Sequence, residues 1–263
     1  METIALSVEK TMALIEVSEA KEMVARYQAT RKTLIDKTFG INDTRSIWFS
    51  IDGIRDFIDN LPEYVSGVRI YLATYAQDSE HYPNQTTVVF IGTVEKDGRD
   101  VDPITTKALF DIDIDLGILG PFNQGKACPP VCNFSTDSFA EKTMIPIELP
   151  TAKKIVAHYN NTRKTLIDET FGINDTRSIW FSIDGIRNFI NTLPKYASGV
   201  RIYLATYAQD SEHYPNQTTV IFTGTIEKDR REINALTADA LFDIDFGILG
   251  PFNQGKACPP NCG

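Results

Sequence analysis

The sequence predicts an α+β fold: two tandem copies of a roughly α-β-α-β-β unit, each with a mixed or antiparallel sheet, packed as a pseudo-twofold dimer. Three observations carry this prediction. The 263-residue chain is written twice: Arg31 to Asp113 aligns without gaps on Arg163 to Asp245, with 66 of 83 positions identical. Ile51, Ile54, Phe57, Ile58 and Leu61 fall on one face of a helix, while Gly67 to Tyr75 and Thr86 to Val94 read as strands. The differences between the copies support the helix. The second copy keeps Ile183, Ile186, Phe189, Ile190 and Leu193, but changes Asp56 to Asn188, Asp59 to Asn191, Asn60 to Thr192 and Glu63 to Lys195. Only the face expected to meet water varies.

The repeat unit is about 125 residues, the size of a domain rather than of a solenoid repeat. It divides the chain into a first unit over 1–132, a linker over 133–139 and a second unit over 140–263. In order, a first helix is expected from an N-cap at Ser18 to about Asp36, with Met23, Val24, Tyr27, Leu34 and Ile35 as its apolar stripe. Pro150 and Thr151 mark the same start in the second copy. This helix is the most diverged segment: 17–30 and 149–162 agree at 6 of 14 positions, so it is either exposed or specialised in each copy. Ser46 to Ile51 reads as a short strand, and Pro62 and Pro194 stop the second helix. In the next strand Val68, Ile70 and Leu72 share one face, and Arg69, Tyr71 and Tyr75 the other. Gln77 to Gln85 is a polar loop, Asp97-Gly98 a hairpin turn, and Thr105 to Phe110 a helical turn.

Composition narrows the function. A net charge of −9 and a pI near 4.9 argue against a nucleic-acid or anionic-membrane surface. No stretch approaches the roughly 18 apolar residues of a membrane span. The N-terminus lacks the pattern of a secretory signal, so a cytoplasmic location is expected.

The closing segment, Gly117 to Cys132 and again Gly247 to Cys262, holds all four cysteines. Gly120 to Ala127 falls one residue short of a P-loop: Ala127 stands where magnesium needs a hydroxyl, and Pro129-Pro130 block the helix. Cys128, Cys132, Cys258 and Cys262 admit three readings: a shared structural zinc site if the two tails meet, a local disulfide in each loop, or free buried thiols. No cofactor is otherwise expected. Asp111 to Gly117 alternates as a strand and does not make a calcium loop. His81 and His213 lie in identical polar loops beside Asp78 and Asp210, where a general base is conceivable but no nucleophile accompanies it.

At Trp48-Phe49-Ser50, Gly67 to Ala73 and the Cys-Pro-Pro-x-Cys tail, each unit resembles small bacterial proteins of the Bacteroidota type. The resemblance spans essentially each whole unit. It implies that a single unit is the usual form and that this chain is a fused pair, and it implies no activity, cofactor or catalytic residue.

The expectation is therefore a soluble, non-enzymatic binding or interaction protein whose partner is a protein or a small molecule. Its ligand would meet Arg69, Tyr71, Tyr75 and His81, with Arg201, Tyr203, Tyr207 and His213 as their counterparts. The alternatives are a metal-organised protein on the four cysteines and an enzyme on the Asp78/His81 loop.

Overall fold

A computed structural model describes residues 11–80, 82–105, 119–129, 143–212, 214–228, 231–237 and 249–259. The helical turn expected after Thr105, the Asp111–Gly117 series and the 133–139 linker lie outside these residues, as do His81, His213, Cys132 and Cys262.

In the first repeat a short strand β1 (Ala13–Leu14) leads into helix α1 (Val17–Tyr27), a π turn at Gln28–Lys32 and helix α2 (Thr33–Phe39). The helix starts at Val17 behind Glu16, whose side chain makes no cap, rather than behind Ser18. The π turn was not foreseen. By widening one turn it brings Arg31 to the buried face and leaves Leu34 only half-buried. Strand β2 (Ser46–Ser50) passes directly into α3 (Ile51–Asp59), because the Ser50 hydroxyl caps the helix by accepting from the Gly53 N–H. Strands β3 (Gly67–Thr74), β4 (Thr86–Lys96) and β5 (Arg99–Val101) follow. Asp97 and Gly98, both at positive φ, make the predicted turn between β4 and β5. The repeat closes with β6 (Phe122–Asn123) and β7 (Lys126–Cys128).

The second repeat supplies β8 (Ile145–Pro146), α4 (Leu149–Tyr159), a π turn at Asn160–Lys164, α5 (Thr165–Phe171), β9 (Ser178–Ser182) and α6 (Ile183–Thr192). It ends with β10 (Gly199–Thr206), β11 (Thr218–Lys228), β12 (Arg231–Asn234), β13 (Pro251–Asn253) and β14 (Lys256–Cys258).

The fold is α+β, and every described strand pairing is antiparallel. The repeat boundaries do not delimit the sheets. One sheet runs β1-β13-β11-β10-β2-β7 with β12 on β11, and the other β14-β9-β3-β4-β6-β8 with β5 on β4. Each therefore draws strands from both repeats. β2 pairs with β10, Ser50 opposite Gly199, while β9 pairs with β3, Ser182 opposite Gly67. Tryptophans fix these seams. The Trp48 indole N–H donates to Thr225 Oγ1 at 3.0 Å, and the Trp180 N–H to Thr93 Oγ1 at 2.9 Å. A Cβ on Gly67 would stand 2.4 Å from the Trp180 ring nitrogen, so only glycine fits there.

The inner faces of both sheets and the apolar stripes of α3 and α6 form one core, with Phe49, Ile70, Phe90, Phe181, Ile202 and Phe222 among its members. The outer faces are roofed by exchange. α1 of the first repeat covers β10 and β11, packing Ala20, Met23 and Val24 on Tyr203, Ala205 and Ile221. α4 of the second covers β3 and β4, packing Ala152, Ile155 and Val156 on Tyr71, Ala73, Val89 and Ile91. Where the long helices meet, buried Arg31 lies 4.5 Å over the Phe171 ring and Arg163 4.2 Å over Phe39. Each guanidinium also donates into the opposite repeat, Arg31 to the Asn216 carbonyl at 2.5 Å and Arg163 to that of Asn84 at 2.6 Å.

The closing segment runs from one sheet to the other. β6 pairs with β4, and β7, two residues on, pairs with β2 in the opposite sheet. A Cβ on Gly125 would stand 2.3 Å from Ile47 Cγ2 and 2.6 Å from Phe49 Cζ, so the crossing needs glycine. β13 and β14 make the reverse crossing. The two tails thus end in different sheets, β7 at the edge of one and β14 at the edge of the other.

Candidate functional site

Arg69 and Tyr71 do not face solvent. Strand alternation places them on the outer face of the sheet, but the roof of α4 buries them to 4% and 2% exposure. Residues of β5 and just after it meet their polar atoms. Arg69 Nε lies 3.2 Å from Asp102 Oδ2, Arg69 Nη2 donates to the Asp100 carbonyl at 2.8 Å, and the Tyr71 hydroxyl donates to Asp102 Oδ2 at 2.8 Å. Burial, with the Asp102 carboxylate adding to it, holds the Tyr71 phenol well above its usual pKa.

In the counterpart the acid at 102 is Asn234, and Glu232 takes its place. It grips Arg201 through both carboxylate oxygens, Nε at 2.6 Å, while Arg201 Nη1 donates to Ser46 Oγ at 2.9 Å. Asn234 exchanges hydrogen bonds with the Tyr203 hydroxyl. A cleft of about 750 Å³ opens over this floor, with Lys21 of α1 and Gln28 of the π turn on one side and Arg45, Ser46 and Cys128 on the other. The floor is an ion pair closed on itself, Arg201 with Glu232.

Tyr75 belongs to a different place. It lines a cleft of about 410 Å³ between the polar loop, the closing segment and α4. Tyr82 of the loop stacks obliquely at 6.1 Å between ring centroids. The Tyr75 hydroxyl donates to Asn123 Oδ1 at 2.9 Å, and burial pushes its pKa up to about 12. Asn123 Oδ1 also receives the Thr87 hydroxyl at 3.2 Å and the Gln124 N–H at 2.5 Å, while its buried Nδ2 has no hydrogen-bond partner. Lys126 and Lys154 line the cleft with the hydroxyls of Ser79, Thr143 and Thr151 and the apolar side chains of Ile145, Ile147 and Ile155. Among the described residues its lining holds no carboxylate.

Of the residues expected to share one ligand face, Tyr75 and the closing segment therefore come together, while Arg69 and Tyr71 lie apart beneath α4. Arg201 and Tyr203 floor the larger cleft. Tyr207 repeats Tyr75, donating to Asn253 Oδ1 at 3.1 Å. Asn123 and Lys154 were missed by sequence reasoning. Asn123 lies in a segment dominated by its near-miss P-loop and its cysteines. Lys154 left a trace, because it sits in the segment that differs most between copies.

Cys128 and Cys258 are both disulfide-bonded and buried, which corrects the free-thiol reading for these two. A zinc site on Cys128, Cys132, Cys258 and Cys262 would first require reduction, since zinc takes thiolates. Among the described residues no three of His, Cys, Asp and Glu stand where they could hold a metal, and no helix is long and apolar enough to cross a membrane. Comparison of the chain with protein-family profiles, curated proteins and solved structures finds no match.

Proposed function

We propose that the chain is a non-enzymatic binding protein that takes a small organic anion with an apolar body in the Tyr75 cleft. The carrying observation is the chemistry of the described lining of that cleft: the Lys154 ammonium, several donors and an unpartnered Asn123 Nδ2, with no carboxylate among the described lining residues. An unpaired buried donor costs about 1–3 kcal/mol, and an acceptor reaching it from the cleft would relieve that cost. The apolar side chains of Ile145, Ile147 and Ile155 and the ring of Tyr82 suit the body of the ligand. A volume near 410 Å³ lies within the usual range for small-molecule sites. Binding is favoured over catalysis because Tyr75, whose phenol ionises only at about 12, is no base at neutral pH.

The test is calorimetric titration at low salt with 3-phenylpropanoate. One site per chain is expected. Lys154→Glu, at an exposed helical position, should weaken binding about tenfold, the effect of roughly 1.4 kcal/mol. The compound should be recovered unchanged. Absence of saturable binding, or its chemical conversion, would overturn the reading.

A further inference from the structure

Asn123 stands at the centre of the polar network of the Tyr75 cleft, and the orientation of its amide is forced. Strand pairing sets its backbone opposite Ile145. Gln124, at a φ of 67°, turns its N–H back onto Asn123 Oδ1 at 2.5 Å. The Tyr75 hydroxyl at 2.9 Å and the Thr87 hydroxyl at 3.2 Å donate to the same oxygen. A hydroxyl can turn and accept instead, but a backbone N–H can only donate. The amide therefore cannot flip, because its NH2 group would meet the Gln124 N–H donor to donor. Asn123 is 1% exposed, and its Nδ2 is left without a partner.

The neighbouring polar groups sharpen this. Thr143 Oγ1 accepts from the Ser50 N–H at 2.7 Å and lies 3.3 Å from Ser50 Oγ, to which it donates. The Lys126 ammonium lies 5.7 Å over the Trp48 ring. The hydroxyls of Ser79 and Thr151 can donate or accept, so they do not discriminate between head groups. The groups that do are donors only: Asn123 Nδ2, fixed by the network behind it, and the Lys154 ammonium, exposed on α4. A carboxylate matches them, since it accepts at both oxygens and donates at neither.

We infer that Asn123 is the specificity-determining residue of this cleft, and that the ligand is a monocarboxylate read in its ionised form, one oxygen accepting from Asn123 Nδ2 and the other from Lys154. This rests on the reading of the Tyr75 cleft as an anion site. The neutral carboxamide of the same shape satisfies only one of the two groups, because its own NH2 meets the other donor to donor.

The test titrates 3-phenylpropanoate and 3-phenylpropanamide, which differ only in the head group, into the full chain at low salt. The unaltered chain should bind the carboxylate about tenfold more tightly, the worth of one hydrogen bond to a charged group. Asn123→Asp keeps the oxygen that Gln124, Tyr75 and Thr87 engage but sets an acceptor where Nδ2 stood, so the preference should reverse, which a merely structural role would not produce. A variant that still prefers the carboxylate overturns the inference and leaves the anion site standing. Equal binding of the two compounds by the unaltered chain, or binding of neither, overturns the reading on which the inference rests. A measurement on the unaltered chain decides the matter even where the variant does not fold. The assigned Asn123 side-chain amide protons should move downfield in NMR spectra on saturation with 3-phenylpropanoate, and protons that stay in place overturn the inference.

Discussion

Strands β3 and β10 carry the same eight residues, Gly-Val-Arg-Ile-Tyr-Leu-Ala-Thr, whereas helices α1 and α4 agree at fewer than half of theirs. Both elements meet the opposite repeat, so contact alone does not explain the contrast. The strand is enclosed on both faces and along both edges, and each of its residues is buried. The helix buries one stripe and turns the rest outward, where the residues that differ, such as Glu19 and Glu22 against Thr151 and Lys154, can change charge without disturbing packing. The difference teaches where this scaffold tolerates change: the roof varies over a constant frame, and the roof forms one wall of each cleft.

Three experiments sharpen that contrast. The largest effect is expected at the seams of the constant frame. Trp48→Ala and Trp180→Ala each remove a buried indole and its hydrogen bond to the other repeat, and each should lower stability by about 3–5 kcal/mol in urea denaturation. Because the two seams match, the losses should agree within about 1 kcal/mol. A large inequality would break the equivalence of the frames.

The next effect is of pH. Burial raises the Tyr75 and Tyr207 phenols to about 12, whereas an unfolded phenol ionises near 10. The folded chain therefore holds these protons more tightly. The stability they confer is fully present below pH 10 and is lost as pH climbs from 10 through 12, by up to about 2.7 kcal/mol for each phenol. Denaturant midpoints should fall across that window, and absorbance at 295 nm should show both phenols silent until its upper end. Ionisation of either near 10 in the folded chain would show that the tyrosines stand open to water.

The smallest effect belongs to the roof. Glu19→Thr/Glu22→Lys should shift stability by no more than about 0.5 kcal/mol in thermal melts, since both positions are exposed. A larger loss would mean that the helix divergence serves folding rather than ligand choice.

Much of this architecture was legible in the residues. The stripe Ile51, Ile54, Phe57 and Ile58 marks a buried helix face, and the changes at Asp56 and Asp59 mark its wet side. The alternation in β3 and β4 and the Asp97-Gly98 turn stand where expected. The exchange of β2 and β9 was not legible, for a definite reason. Ser50 faces Gly199, but Gly67 opens an identical strand, so the residues hold no preference between the near copy and the far one. The burial of Arg69 and Tyr71 follows from the same exchange. An alternating strand announces an outer face, and only the partner repeat's helix closes it. The Tyr75 cleft was half legible: its tyrosine, loop and closing segment stood out, but Asn123 and Lys154 gain meaning only when the helix and the tail are brought together.

The strand exchange has a consequence for synthesis. β3 ends at Thr74, but its neighbour β9 is complete only at Ser182. At about 5–20 residues per second the ribosome needs roughly 5–20 s to make the stretch between them. Throughout that interval the nascent chain presents a fully formed sequence for one sheet edge with no partner to pair it. The identical edge of a neighbouring nascent chain is the nearest substitute, so the yield of correctly closed molecules should depend on how far apart ribosomes are spaced on the message.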